Sequence, residues 1–242
     1  MIDVLLLRLD APLVSFGGVV VDQRGPTDEF PALSLLAGLL GNALGYDHRD
    51  AERLRVLQDR LRYGVRRDRT GVRVRDFQTV ALGQDFLVDT GWTTRGMAEG
   101  RKGASGEGTH IRYRDYLADA VFTVALTLGP GDGPPDLEAL EVALREPERP
   151  LFLGRKPCLP AAPLLLGRLS ASSLYDALRR APPVDRGDEG PWLAAWWPDD
   201  EAGEGESRRI AVTDEMDWAN QVHVGRRYLR HGRVCPEVNH AS

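Results

Sequence analysis

The sequence predicts an α+β fold, and two observations carry that prediction. Apolar runs of strand length recur at Ile2 to Leu9, Tyr63 to Arg67, Val72 to Leu82, Ala120 to Leu128 and Leu164 to Leu169. Helical patterns at Leu35 to Gly45 and Asp136 to Arg145 interrupt them. The resulting order is strand, helix, strands, strand, helix, strand. That order suits an antiparallel sheet with helices on one face, a ferredoxin-like (RRM-like) sandwich with a long insertion between its strands.

Each element has a local reason. Ile2 to Leu9 is apolar almost throughout and is followed by Ala11, Pro12 and Gly17-Gly18, as a buried strand ending in a turn would be. Ser34 precedes a dense apolar stretch that Gly45 closes, which predicts a buried helix with Ser34 as its N-cap and Gly45 as its stop. Gly38 and Gly41 inside it each cost about 1 kcal/mol relative to alanine, so they imply close backbone approach. Asp50 to Leu61 reads as an exposed amphipathic helix, and Thr70-Gly71 as the turn between the next two strands. Residues 83–110 form a connection too long to be ordinary, rich in Gly, Thr and charge, with Phe86, Trp92 and Met97 isolated in it. Ala120 to Leu128 is a β-branched strand, and Asp136 to Arg145 an amphipathic helix. Beyond Pro150 come a strand at Leu164 to Leu169, a short helix at Ser173 to Arg180, and strands at Ile210 to Val212 and Val222 to Leu229. Residues 186–207 read as an acidic loop. The expected division is a body over 1–150, carrying the insertion, and a small irregular β-rich part over 151–242 packed on it.

Composition narrows the class. The chain has 242 residues, 42% hydrophobic and 28% charged, which excludes disordered and fibrous chains. No apolar run reaches the roughly 18 residues of a membrane span, and Met1 leads directly into a strand-like segment. A soluble, cytoplasmic protein without membrane contact is expected. Cys158 and Cys235 lie outside any CxxC pair, so neither a disulfide framework nor a zinc ribbon is indicated. The net charge of −5 conceals a polarised chain. Residues 60–114 hold twelve Lys or Arg against six Asp or Glu, whereas residues 182–221 hold three against eleven. Only Lys102 and Lys156 are lysines among 31 basic residues; the rest are arginine, whose planar fork suits phosphate.

The motifs exclude more than they assign. Gly38-x-x-Gly41-x-x-x-Gly45 is followed by no Gly-Lys-Ser or Gly-Lys-Thr and lies inside a helix, so helix packing explains it better than nucleotide binding. The amides around Ser34 to Leu36 could also hold a backbone phosphate at the positive end of the helix dipole. Gly154-Arg155-Lys156 places two cations on a glycine turn. Arg73-Val74-Arg75 and Arg112-Tyr113-Arg114 each direct both cations to one strand face, where they follow a phosphate backbone or face water. His48, His110, His223, His231 and His240 are scattered, and His231, Cys235 and His240 have no partner cluster, so no metal or other cofactor is expected. No Gly-x-Ser-x-Gly elbow occurs. A metal-independent ribonuclease would have to draw on Tyr46, His48 and His110, which nothing in the sequence brings together. No catalytic residue is assigned.

Six ordered blocks resemble a known family. They are Leu6-Leu7-Arg8-Leu9 with Ala11-Pro12 and Phe16-Gly17; Pro26-Thr27 and Phe30-Pro31 with Gly38-Leu39-Leu40-Gly41 and Leu44-Gly45; and Arg75-Asp76-Phe77-Gln78-Thr79-Val80. Arg114-Asp115-Tyr116-Leu117 with Asp119-Ala120, Phe122-Thr123-Val124-Ala125-Leu126, and Leu153-Gly154-Arg155-Lys156-Pro157-Cys158 with Pro163-Leu164 complete the set. Together they resemble the CasD family of type I-E CRISPR surveillance complexes (Cascade), within the RAMP superfamily. The resemblance implies a ferredoxin-like RAMP body whose thumb is the insertion at 83–110. It implies a non-catalytic subunit that binds the 5′ handle of CRISPR RNA in antiviral defence and caps a filament of backbone subunits. The large subunit would be a further partner, and target DNA would be met only through the ribonucleoprotein complex. A related subtype uses its equivalent subunit to cut repeat RNA, so a metal-independent endoribonuclease is the alternative. The expected RNA contacts are Arg24, Ser34, Arg73, Arg75, Gln78, Arg112, Arg114, Arg155 and Lys156, with Gln78 standing where some relatives have histidine. Phe86, Trp92 and Met97 are the expected partner-binding anchors of the thumb.

Overall fold

The computed structural model describes residues 1–20, 23–47, 49–81, 109–131, 133–184 and 190–237. Its first strand, β1 (Ile2–Asp10), is interior, as its apolar run requires. Leu5, Leu7 and Leu9 join one buried cluster and Val4 and Leu6 another, so both faces of the strand are covered. After the short β2 (Leu13–Val14) and β3 (Arg24–Gly25) come α1 (Leu33–Ala43), α2 (Ala51–Arg60), β4 (Leu61–Arg69), β5 (Val72–Ala81), β6 (Thr109–Ala118), β7 (Val121–Leu128) and α3 (Leu137–Arg145). The chain continues through β8 (Leu165–Ala171), α4 (Leu174–Arg180), β9 (Leu193–Pro198), β10 (Arg208–Val212), β11 (Glu215–Asp217), β12 (Val222–Val224) and β13 (Arg227–Val234).

A seven-stranded sheet runs β10-β13-β9-β4-β7-β1-β8, antiparallel at every junction. In the second sheet β6 pairs with β5 along one edge, while β2 and β3 share the other. The chain therefore parts at Gly71: β4 stays in the large sheet and β5 leaves it. Gly71 has φ +66°, and a methyl group there would lie 2.4 Å from the Ala118 carbonyl oxygen, so the crossing needs glycine.

Three expectations need correction. Helices cover both faces of the large sheet rather than one: α1 packs with α2 and α3 on one side, whereas Leu174 and Leu178 of α4 pack with Val4, Leu6, Ala125 and Trp197 on the other. The stretch expected as an acidic loop contains β9, whose Trp196 and Trp197 are buried. Ser34 lies inside α1 and does not cap it; the N-cap is Ala32, without a side-chain bond. Asp214 does the capping, its Oδ2 accepting the Leu33 amide at 2.9 Å and its carbonyl the Ser34 amide at 3.0 Å. At the other end Gly45, at φ +81°, stops the helix as expected. Gly41 makes room for Leu54 of α2, whose Cδ2 would be 2.4 Å from an added methyl.

Beneath α4 lies a fully buried ion pair. Arg66 Nε donates to Asp68 Oδ1 at 2.7 Å, its terminal nitrogens reach the Leu178, Ala181 and Pro182 carbonyls, and Thr123 donates to Asp68. Burial raises the Asp68 carboxyl above its usual range, although Arg66 and Thr123 both oppose that. No helix among the described residues is long and apolar enough to cross a membrane.

Candidate nucleic-acid interface

Strand register decides where the expected contacts point. Arg75 pairs with Asp115, Phe77 with Tyr113 and Gln78 with Arg112. Side chains alternate along a strand, so Arg73, Arg75, Phe77, Tyr113 and Asp115 share one face, and Asp76, Gln78, Arg112, Arg114 and Tyr116 the other. The two arginine triplets lie back to back. On the first face Asp115 gathers the cations: Arg75 Nε and Nη2 donate to its two oxygens at 2.7 and 3.3 Å, and Arg73 Nη1 lies 4.0 Å away while donating to the Thr27 carbonyl at 3.1 Å. The Arg75 hydrogen bond, before any other influence, holds the Asp115 carboxyl below its usual range. Phe77 is 55% exposed in an edge-to-face pair with Tyr113, centroids 5.7 Å apart. Register sets Arg24, which is exposed, opposite Tyr113.

The second face meets the glycine turn. Gly154 has φ +96°, and an added methyl would fall 1.6 Å from the Ser15 carbonyl oxygen. Only glycine lets the turn pass there, and the passage carries Arg155 under β6. Arg155 donates to the carbonyls of Asp115 (3.0 Å), Gly25 (2.8 Å) and Pro26 (3.3 Å), and its guanidinium lies 4.9 Å from the Tyr116 ring centroid. Arg114 arrives from the neighbouring strand. A methyl on Gly25 would sit 2.8 Å from Arg114 Nη1 and 2.9 Å from Arg155 Nη2, so two guanidinium groups converge above a residue without a side chain. Among the described residues Arg114 forms no ion pair, its side chain donating to the Tyr113 carbonyl at 3.5 Å, and Arg155 is attracted by the Asp115 carboxylate without bonding it. Lys156 follows, exposed. Gln78 is held by Asp76 at 2.7 Å.

Other expected groups lie apart. Ser34 is buried, its Oγ 3.2 Å from His223 Nε2, and Asp214 already occupies the helix amides proposed for a phosphate. Tyr46 is buried with the Arg53 guanidinium 3.8 Å from its ring centroid, while His48 and the His110 side chain lie outside the described residues. Phe86, Trp92 and Met97 also fall outside them. No group of metal-ligating side chains occurs among the described residues. Sequence reasoning missed Gly25, Phe77 and Tyr113; for Phe77 and Tyr113 a signal was available, an aromatic ring spaced by two from an arginine or lying between two.

The geometry can be set beside known proteins. A family model described as CRISPR-associated protein (Cas_Cas5) matches residues 4–230. The CRISPR system Cascade subunit CasD of Escherichia coli (strain K12) is 34% identical over 180 residues, covering 74% of this chain and 77% of that protein. A chain of a solved CRISPR RNA-guided surveillance complex superposes with a TM-score of 0.71 at 26% identity, covering 96% of this chain and 90% of its own. A crystal structure of a Cas protein superposes at 0.63 and 28% identity, over 97% and 98% of the two chains.

Proposed function

Because the chain belongs to the Cas5 family of CRISPR-associated proteins, we propose that it is a non-catalytic subunit of a type I-E surveillance complex that binds the 5′ handle of CRISPR RNA. It caps the filament of backbone subunits beside the large subunit, acts in the cytoplasm, and meets target DNA through the assembly. The observation that carries this reading is the pair of guanidinium groups above Gly25. Arg155 is attracted by Asp115 and tied to carbonyls, Arg114 forms no ion pair among the described residues, and a phosphate beside Arg114 relieves the repulsion between the two guanidinium groups. Arg24, Arg112, Arg114 and Lys156 are the phosphate contacts in this reading, and Arg73, Arg75 and Gln78 line the strand pair along which the RNA passes. Arg155 acts as a positioning residue, fixing β3 and β6 around the site through their carbonyls.

A ferredoxin-like body is supported by the order β8-β1-β7-β4 within the large sheet, the antiparallel arrangement of a split βαβ unit, whose last strand comes from beyond residue 150. Arginines stay protonated, so they can hold a phosphate but cannot serve as the base that strand cleavage requires. The test is to purify the tagged chain from cells expressing a CRISPR array and to sequence its RNA. RNAs sharing one repeat-derived 5′ end are expected, and repeat RNA incubated with the purified chain should stay intact. Unrelated RNAs would sink the handle reading; a single-site cut would favour the endoribonuclease.

A further inference from the structure

We propose that Phe77 is a stacking platform for one unpaired base of the RNA, with Tyr113 bracing its ring and Arg24 meeting the phosphate beside that base. The platform rests on the handle-binding reading and names the part of the RNA that this face takes. Pairing across β3, β6 and β5 puts Arg24, Tyr113 and Phe77 in one row, on the same face as Arg73 and Arg75. Tyr113 meets Phe77 with the ring planes 61° apart, an edge-to-face contact that fixes the tilt of the ring. More than half of Phe77 nevertheless stays in water. A ring held at a set angle and left uncovered is what a splayed base needs to stack on.

Charge and size identify the occupant. Arg24, Arg73 and Arg75 share the face with one carboxylate, Asp115, which Arg75 binds at 2.7 Å and Arg73 approaches at 4.0 Å. Asp28 lies near enough to Arg73 to be attracted by it, so three guanidinium groups stand against two carboxylates. Arg24, in the row of the ring itself, is exposed and enters no ion pair among the described residues. A docked protein segment would need a water-excluded cluster of apolar anchors. The face offers only Phe77, part of Tyr113, and Ile111 at 36% exposure. A nucleotide needs less: one ring for its base, and one cation within reach of its phosphate. Phe77 and Arg24 supply both. Because every base has a π-face, the platform positions the strand without selecting its sequence.

The test titrates 5′-handle RNA with full-length Phe77→Leu, Phe77→Tyr and the natural chain. Phe77 is exposed, so both variants should keep the natural melting temperature. Leucine keeps an apolar side chain without a ring, and should weaken binding by roughly fivefold to a hundredfold. The slope of log affinity against log salt should not change, because no phosphate contact is lost. Tyrosine should bind as the natural chain does. Handle RNAs carrying one abasic nucleotide, scanned along the handle, locate the base: at one position the natural chain and Phe77→Leu should bind equally well. Natural affinity in Phe77→Leu, equal loss in Phe77→Tyr, or no abasic position that removes the difference would each overturn the platform. The handle reading is scored separately, by the preference of the natural chain for handle RNA over unrelated RNA; without that preference the handle reading fails and the platform falls with it. In the assembled complex, benzoylphenylalanine at Phe77 should cross-link to RNA, and an adduct to a protein subunit alone would overturn the platform in favour of protein docking.

Discussion

Removing Arg114 and Lys156 together should change how RNA binding responds to salt, and by an amount the structure sets. Neither side chain has a carboxylate partner among the described residues, so Arg114→Gln with Lys156→Gln leaves no buried anion behind. Each phosphate contact on a single strand contributes about 0.7 to the slope of log affinity against log salt, so losing two lowers the slope by about 1.4. Between 50 and 200 mM salt, the advantage of the natural chain over the variant should then shrink about sevenfold. The assay is fluorescence anisotropy of a labelled 5′-handle RNA titrated with full-length chain across that salt range. Arg155→Gln serves as the contrast. It removes hydrogen bonds to the Asp115, Gly25 and Pro26 carbonyls, so its weaker binding should come with a lower melting temperature. A folded double variant with an unaltered slope would refute the placement of phosphates at this face.

Stability measurements address the supports of the site. Gly154→Ala should cost more than the roughly 1–3 kcal/mol of its backbone conformation alone, because the methyl also meets the Ser15 carbonyl; an unshifted urea midpoint would count against the turn. Asp68→Ala leaves Arg66 buried without its anion and should cost about 3–5 kcal/mol, read as a fall in the thermal midpoint. His231 is held below its ordinary value of 6.5, first by burial and then by Arg208. Its unfolded form binds a proton more readily, so stability should fall as pH drops below about 6.5, and His231→Phe should flatten that fall in urea titrations at pH 5.5 and 7.5.

Local signals carried much of the fold, and distance decided what they left out. β1, α2, β7, α3 and α4 could be read because period and caps lie within each segment; Ser173 indeed bonds the Asp176 amide at 3.0 Å. β9 was hidden because Leu193 to Trp197 sits among acidic residues, and its burial comes from pairing with β4 and β13 far along the chain. The cap of α1 was unreadable for the same reason: Asp214 is 181 positions from the amide it accepts. At the candidate interface, alternation within one strand placed each arginine pair on one face. Whether two strands share that face depends on register, and the match of Arg75 with Asp115 turns the triplets away from each other.

Arginine content by itself was therefore a poor guide to the interface, because the fold uses guanidinium groups as internal ties. Arg60, Arg66, Arg149, Arg155 and Arg227 bind carbonyls, carboxylates or a phenol at positions where chain segments must be held together. Tyr63 shows the effect: burial pushes its hydroxyl well above the usual range, so it stays neutral and accepts from Arg227 while donating to the Pro31 carbonyl. A cation tied in this way has few donors left for RNA. What distinguishes Arg24, Arg114 and Lys156 is the lack of an ion pair with a carboxylate among the described residues, Arg114 lying beside the buried Gly25. An interface for a polyanion is then the set of cations the fold has not already neutralised, and that set is defined by tertiary contacts, not by composition.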